Sequence, residues 1–172
     1  PSPEILIASI ASVTKNMRVG SGGVMLSHYS PYKVAEVFNM LSALFPERID
    51  LGIGRAPGGD QLASSALAWP SPPQNAASYP AQASILKSLL EQTMPDDHPW
   101  ADLHISPQQN SGLELWMLDS SGGSAELAGQ VGMNLALARF IASDHCSPAI
   151  LMRMSGRGQR RGMSVGRIGQ SH

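Results

Sequence analysis

Apolar residues recur along this chain at two alternating periods, and each period marks an element. Leu6, Ile10 and Val13 follow Ser2-Pro3-Glu4 at helical spacing. A serine cap, a proline at the first helical position and an acid at the positive end of the dipole together predict a helix start. Residues 17–26 are apolar at both ends and glycine-rich between, which predicts a strand buried on both faces. Ser30-Pro31 repeats the capping pattern ahead of Val34, Val37, Phe38, Leu41 and Leu44, an amphipathic helix that Pro46 stops. Arg48 to Gly54 predicts a second strand. Residues 61–78, rich in Ala, Ser and Pro, read as a long surface loop. Ile85, Leu86, Leu89 and Leu90 mark a helix over 79–92, and a polar, proline-punctuated stretch fills 94–112. Leu113 to Leu118 predicts a third strand. Leu127, Ala128 and Val131 predict a short helix with Gly132 as its C-cap, and Asn134 to Phe140 a fourth strand.

Strands that alternate with helices run parallel, with the helices packed outside, as an open α/β sheet or a (β/α) barrel. A complete eight-stranded barrel takes about 250 residues. Four strands in 172 residues would be about half of one.

Composition narrows the setting. With 42% apolar and 15% charged residues the chain can bury one ordinary core, and it is short for two domains. A single thiol, Cys146, excludes a disulfide scaffold and a cysteine-built zinc site. No long uninterrupted apolar run occurs and no charged segment precedes an apolar one. Neither a membrane span nor a signal peptide is therefore expected, and a cytoplasmic location is. The formal net charge of -1 hides an asymmetry: residues 153–172 hold five arginines and no acid, leaving 7 basic and 13 acidic side chains over 1–152. An acidic body repels nucleic acid, so an RNA-binding role would fall to the tail alone.

The candidate chemistry lies where the strands end. In a parallel α/β fold the strand-to-helix turns share one side, where ligands bind. Arg55 stands at the exit of the second strand, and Ser120, Ser121, Gly123 and Ser124 at the exit of the third. Hydroxyls and backbone N–H groups at a helix start bind phosphate, and a guanidinium adds a bidentate partner. Gly20, Gly22 and Gly23 strip the first strand of side chains, so a flat group could lie against its backbone. Together these describe a pocket for a planar, phosphorylated cofactor. Each part also has a plainer reading: a Gly-Ser helix start that binds nothing, a surface arginine, and glycines used for packing.

Other patterns lead nowhere. Gly162-Met-Ser-Val-Gly166 matches a hydrolase elbow by letters but lacks its strand, helix, acid and histidine. Gly52-Ile-Gly54 continues into Arg55-Ala56-Pro57 and fails the dinucleotide fingerprint, and no Gly-Lys-Ser/Thr forms a P-loop. Asp96, Asp97, His98, Asp102 and His104 read as a solvated loop rather than metal ligands; no metal is expected.

Three segments resemble a known family. Arg18-Val-Gly-Ser-Gly-Gly-Val-Met-Leu26, His28-Tyr-Ser-Pro-Tyr-Lys-Val-Ala-Glu36 and Glu47-Arg-Ile-Asp-Leu-Gly-Ile-Gly-Arg-Ala-Pro-Gly58 closely resemble the bacterial luciferase-like, flavin-dependent monooxygenases. Leu115-Trp-Met-Leu-Asp-Ser-Ser121 resembles a later strand and phosphate turn, so the likeness covers about 1–60 and 113–140 and fades near Cys146. It implies a partial (β/α)8 TIM-type barrel over 1–145, about four parallel strands with outer helices, followed by an irregular Arg/Gly-rich tail over 146–172. It also implies FMN, reduced by NAD(P)H directly or through a partner flavin reductase, with O2 and a small organic substrate. The family's non-proline cis peptide under the flavin ring maps onto Gly22-Gly23, its phosphate-binding arginine onto Arg55. Its carboxylate/hydroxyl turn maps onto Asp119, Ser120 and Ser121, with Gly123 and Ser124 at the helix start. Asp119, repulsive toward phosphate, would orient Arg55 or a ribityl hydroxyl. The luciferases' reactive cysteine falls at Gly54, which argues against light emission. A half barrel leaves sheet edges and an interior open. Self-association is therefore expected, and the alternative reading is a truncated, non-catalytic flavin-binding or vestigial protein.

Overall fold

The computed structural model describes residues 2–55, 60–72, 74–107, 112–119, 123–137 and 165–167. In chain order these form α1 (Pro3–Val13), β1 (Val19–Met25), α2 (Pro31–Leu44), β2 (Ile49–Gly54), α3 (Gln61–Ala68), α4 (Tyr79–Glu91), β3 (Glu114–Asp119), α5 (Ala125–Val131), β4 (Asn134–Leu137) and β5 (Val165–Arg167). All neighbouring strands pair in parallel, and the sheet order β1-β2-β3-β4-β5 repeats the chain order. Crossovers of one hand that never reverse direction deposit every helix on the same face of the sheet. That is the layout of a barrel segment, and it decides between the two architectures left open by the pattern. The four expected strands are present. The tail expected to be irregular lies mostly outside the described residues; within it, 165–167 pair with β4.

The core is the layer between sheet and helices. Ile49, Leu51 and Ile53 alternate along β2 and are buried against Val34, Phe38 and Leu41 of α2 and Ala83, Leu86 and Leu90 of α4. Met117 and Leu135 continue that layer from β3 and β4. The opposite face of the sheet is different. Gly20 and Gly22 are exposed, and Val24 is the one buried residue of β1. The expectation of a strand buried on both faces is corrected here: among the described residues no second layer covers that side.

Two further expectations change. Residues 61–68 form α3, where a surface loop was expected. Its start is fixed by the Asp60 carboxylate, which accepts the Ala63 N–H at 2.6 Å. Helix α3 buries only Ser64, so it has no apolar stripe to betray it; the cap and good helix formers suffice. Ser2 and Ser30 do occupy N-cap positions, but neither side chain makes the capping bond, and the prolines at the first turn define those starts. Gly132 caps α5 in the left-handed conformation (φ 74°), as its position suggests.

Two arginines close the amino ends of the strands. The Arg48 guanidinium donates to the carbonyls of Ala11 (3.1 Å), Thr14 (2.8 Å) and Met17 (3.0 Å) and to Thr14 Oγ1 (2.6 Å). It thereby supplies partners to the free carbonyls at the end of α1. Arg18 reaches Asp50 Oδ1 (2.5 Å), the carbonyls of Ile49 (3.1 Å) and Gly112 (3.0 Å), and that of Glu47. Among the described residues no helix is long and apolar enough to cross a membrane.

Arg48→Ala should lower unfolding free energy by about 1.5–3 kcal/mol, because charge-assisted bonds to partly buried carbonyls are lost together. Arg48→Lys should cost less, and urea unfolding followed by circular dichroism measures both.

Candidate functional site at the carboxyl edge of the sheet

β2 and β3 run in register from Asp50 beside Glu114 to Ile53 beside Met117, so their ends lie together. Arg55 is the first residue after β2, Asp119 is the last of β3, and Gly123 and Ser124 lead into α5. The structure brings these four together. A Cβ placed on Gly123 would lie 3.5 Å and 3.7 Å from the two terminal nitrogens of Arg55, so the guanidinium rests against the bare glycine. Among the described residues no hydrogen bond or ion pair holds that guanidinium. Asp119 is buried, and its Oδ2 accepts the Ser124 N–H at 3.3 Å. That bond pins the turn; the resemblance implies that Asp119 also orients Arg55 or a ribityl hydroxyl. Ser120 and Ser121 lie outside the described residues, as does the turn 56–59.

The bare patch lies one strand over, in the middle of the β1–β2 ladder. The Gly22-Gly23 peptide is cis, and the pairing of β1 with β2 shifts register there, between Gly22 and Val24. The Ser21 hydroxyl spans the irregularity, accepting the Gly52 N–H at 3.1 Å and donating to the Gly52 carbonyl at 2.9 Å. The two glycines are not equivalent. A Cβ on Gly23 would meet the Gly52 carbonyl oxygen at 2.6 Å and Leu118 Cδ1 at 2.9 Å, whereas a Cβ on Gly22 would meet nothing within 4 Å. Gly23 is required by packing. Gly22 opens onto space.

Sequence reasoning missed one residue here. Tyr79, at the start of α4, is 2% exposed, and its hydroxyl has no hydrogen-bond partner among the described residues. Burial pushes its phenol above the ordinary value, while Arg55 pulls it down and Asp119 pushes it further up; the hydroxyl therefore senses both charges. The proposed loop residues Asp96, Asp97, Asp102 and His104 are exposed, and His98 packs edge-on against Trp100 with ring centres 5.2 Å apart. Among the described residues no group of three His, Cys, Asp or Glu could hold a metal.

A family model described as luciferase-like monooxygenase matches residues 1–167. The chain belongs to the luciferase-like monooxygenase family. The match runs past Cys146, where the sequence by itself loses the likeness, and takes in β5. Protein YwcH of Bacillus subtilis (strain 168) is 49% identical over 140 residues, covering 81% of this chain and 42% of that protein. The N-acetyl-S-alkylcysteine monooxygenase of the same organism is 41% identical over 142 residues, with the same shares covered. The crystal structure of apo-MsnO8 superposes with a TM-score of 0.71 at 44% identity, over 83% of this chain and 41% of that one. This luciferase-like chain thus spans about two fifths of the length of the curated relatives it matches.

Gly23→Ala should destabilise the luciferase-like chain by about 1–3 kcal/mol through overpacking, and Gly22→Ala should leave the melting temperature nearly unchanged; calorimetry separates them. A second expectation follows from Tyr79. The unfolded chain releases this proton near the ordinary value of 10.0 while the folded chain keeps it, so stability is lost as pH rises through and above that value. Tyr79→Phe should remove part of that alkaline loss, read from urea midpoints at successive pH.

Proposed function

We propose that the chain is the cofactor-binding part of an FMN-dependent monooxygenase of the luciferase-like type, in which reduced flavin and O2 act on a small organic substrate. One observation carries this reading: the exposed guanidinium of Arg55, without a partner among the described residues, rests on Gly123 beside the Asp119–Ser124 turn. A planar fork of donors in that state suits a phosphate, which offers several acceptor oxygens in matching geometry. The residues present fit the cofactor in two further respects. Gly22 leaves a place where a ring can approach the main chain unobstructed, and a buried hydroxyl at Tyr79 lacks a partner among the described residues.

In this reading Arg55 binds the phosphate with Ser120 and Ser121, and Gly123 keeps the approach to the guanidinium clear. Asp119 holds the Ser124 amide and so the shape of the turn. Gly22 and Gly23 lie beneath the ring, where the absence of side chains sets how closely it stacks. Bound FMN would supply two electrons to O2, one oxygen atom passing to the substrate and the other leaving as water. NAD(P)H is the source of those electrons, directly or through a partner flavin reductase, and a cytoplasmic location accords with that need. A homo-oligomer would cover the sheet face left open.

A second reading is favoured by that open face. Gly20 and Gly22 are exposed, so among the described residues nothing walls off a substrate from water above the ring. Flavin binding without turnover follows if no further polypeptide completes the site.

Arg55→Ala should weaken FMN by about 30- to 100-fold, the worth of a charge-assisted bidentate contact, while riboflavin affinity stays within about twofold. Flavin fluorescence quenching measures both, and equal losses would remove the phosphate role. Protein that is yellow, bleaches with NAD(P)H or dithionite and consumes O2 supports the monooxygenase; yellow protein without oxygen uptake supports binding alone.

A further inference from the structure

The helix layer holds a cavity away from the strand exits. It lies between α2, the last turn of α4 and the stretch 94–105, with a volume of about 160 Å³. Ser88, on its wall, is about 13 Å along the helix axis from Tyr79, toward the amino ends of the strands. Three consecutive turns build the outer wall: the N–H groups of His98, Ala101 and Leu103 donate to the carbonyls of Pro95, His98 and Trp100. Ile105 then returns the chain to the core, 4% exposed and in the same cluster as Leu89.

One buried polar group faces this space. Asn39 of α2 lines the cavity and is 3% exposed, and its Oδ1 has no hydrogen-bond partner among the described residues. An apolar residue would close a seam between two helices without that cost. A single water would meet the oxygen but not fill the space, which is about tenfold the roughly 10–15 Å³ that one water requires. More waters would each need two to four polar partners, whereas Leu89, Met94 and Ile105 give apolar walls. A cavity of about 150 Å³ with such walls takes up a molecule of benzene's size. Among the described residues no Lys, Arg, Asp or Glu lines it, so a charged guest would be buried without a counter-charge. The matching guest is neutral, has a short apolar body and carries a donor at one end. A carboxamide supplies that donor to Oδ1 and an acceptor to the neighbouring Nδ2 in one planar pairing.

We propose that this cavity is a binding site for a small neutral amide: the ligand's carboxamide pairs with that of Asn39, and its alkyl part fills the space against Leu89, Met94 and Ile105. The site is independent of the flavin reading. A ligand seated there bridges α2, α4 and the stretch 94–105, and stabilises the helix layer by mass action.

The test titrates the chain with isobutyramide and follows backbone amide signals by nitrogen–proton NMR. The signals of Gln92, Leu103 and Ile105 should shift with a dissociation constant on the order of 1 mM, within what so few atoms allow. Those of Arg55 and Gly123 should stay in place, and the melting temperature should rise with probe concentration. Isobutyrate, which adds a charge, and methyl isobutyrate, which lacks the donor, should each bind at least about tenfold more weakly. Asn39→Leu should melt at or above the wild-type temperature and lose the preference for amide over ester. Ala101→Leu, which narrows the cavity from the outer wall, should weaken isobutyramide while leaving Asn39 in place. Signals that stay unmoved at every probe concentration, as water alone in the cavity would leave them, overturn the proposal. Equal affinity for amide and ester, or displacement of the amide by FMN, overturns it too.

Discussion

The structure turns on how closely two backbones approach at the middle of the β1–β2 ladder. Side chains are excluded there because carbonyl oxygens occupy the space: a Cβ on Gly52 would lie 2.3 Å from the Ser21 carbonyl oxygen. The Ser21 hydroxyl takes over both the donor and the acceptor of Gly52, so the irregular pairing leaves no main-chain group of Gly52 unmet. Leu118 from β3 closes the other side of this constriction, which is why a methyl on either Gly23 or Gly52 would press on it as well. Three strands are thereby locked in depth relative to one another. The positions that follow them in the chain inherit that alignment.

The winding of the chain converts alignment into a site. Each strand is laid beside its predecessor, so the helices are confined to one face and the residues that leave the strands are collected along one edge. Arg55 comes from the exit of β2, Asp119 and the start of α5 from the exit of β3, and the long Arg55 side chain spans between them to rest on Gly123. Helix α5 has only seven residues, so little dipole accumulates along it, and the charges felt at this edge are those of Arg55 and Asp119, opposite in sign.

Much of this was legible in the order of residues, for identifiable reasons. β2 and α2 were readable because burial on one face imposes an apolar period that no turn imitates. α3 was not, since a helix that buries only Ser64 carries no such period and is specified by the Asp60 cap and by its helix-forming residues. The depth of β1 was misjudged because glycine is silent about its surroundings: Gly20 and Gly22 are exposed, and only coordinates distinguish a covered bare strand from an open one. At the site, Arg55, Gly123, Asp119 and Ser124 could be located because strand exits are predictable. Tyr79 escaped notice because it continues the stripe of Ala83, Leu86 and Leu90 along α4 and so looks like core. Its packing is indeed core. The difference lies in one oxygen atom, whose lack of a partner becomes visible only in three dimensions.

The clasp of Arg48 on the end of α1 has a consequence for assembly. Its carbonyl partners lie more than thirty residues earlier in the chain, so the last turn of the first helix finds its ligand only when the start of β2 is in place. α1 and β2 should therefore exchange amide hydrogens as one cooperative block, and a nascent chain released before residue 48 would present a frayed helix end with nothing to hold it.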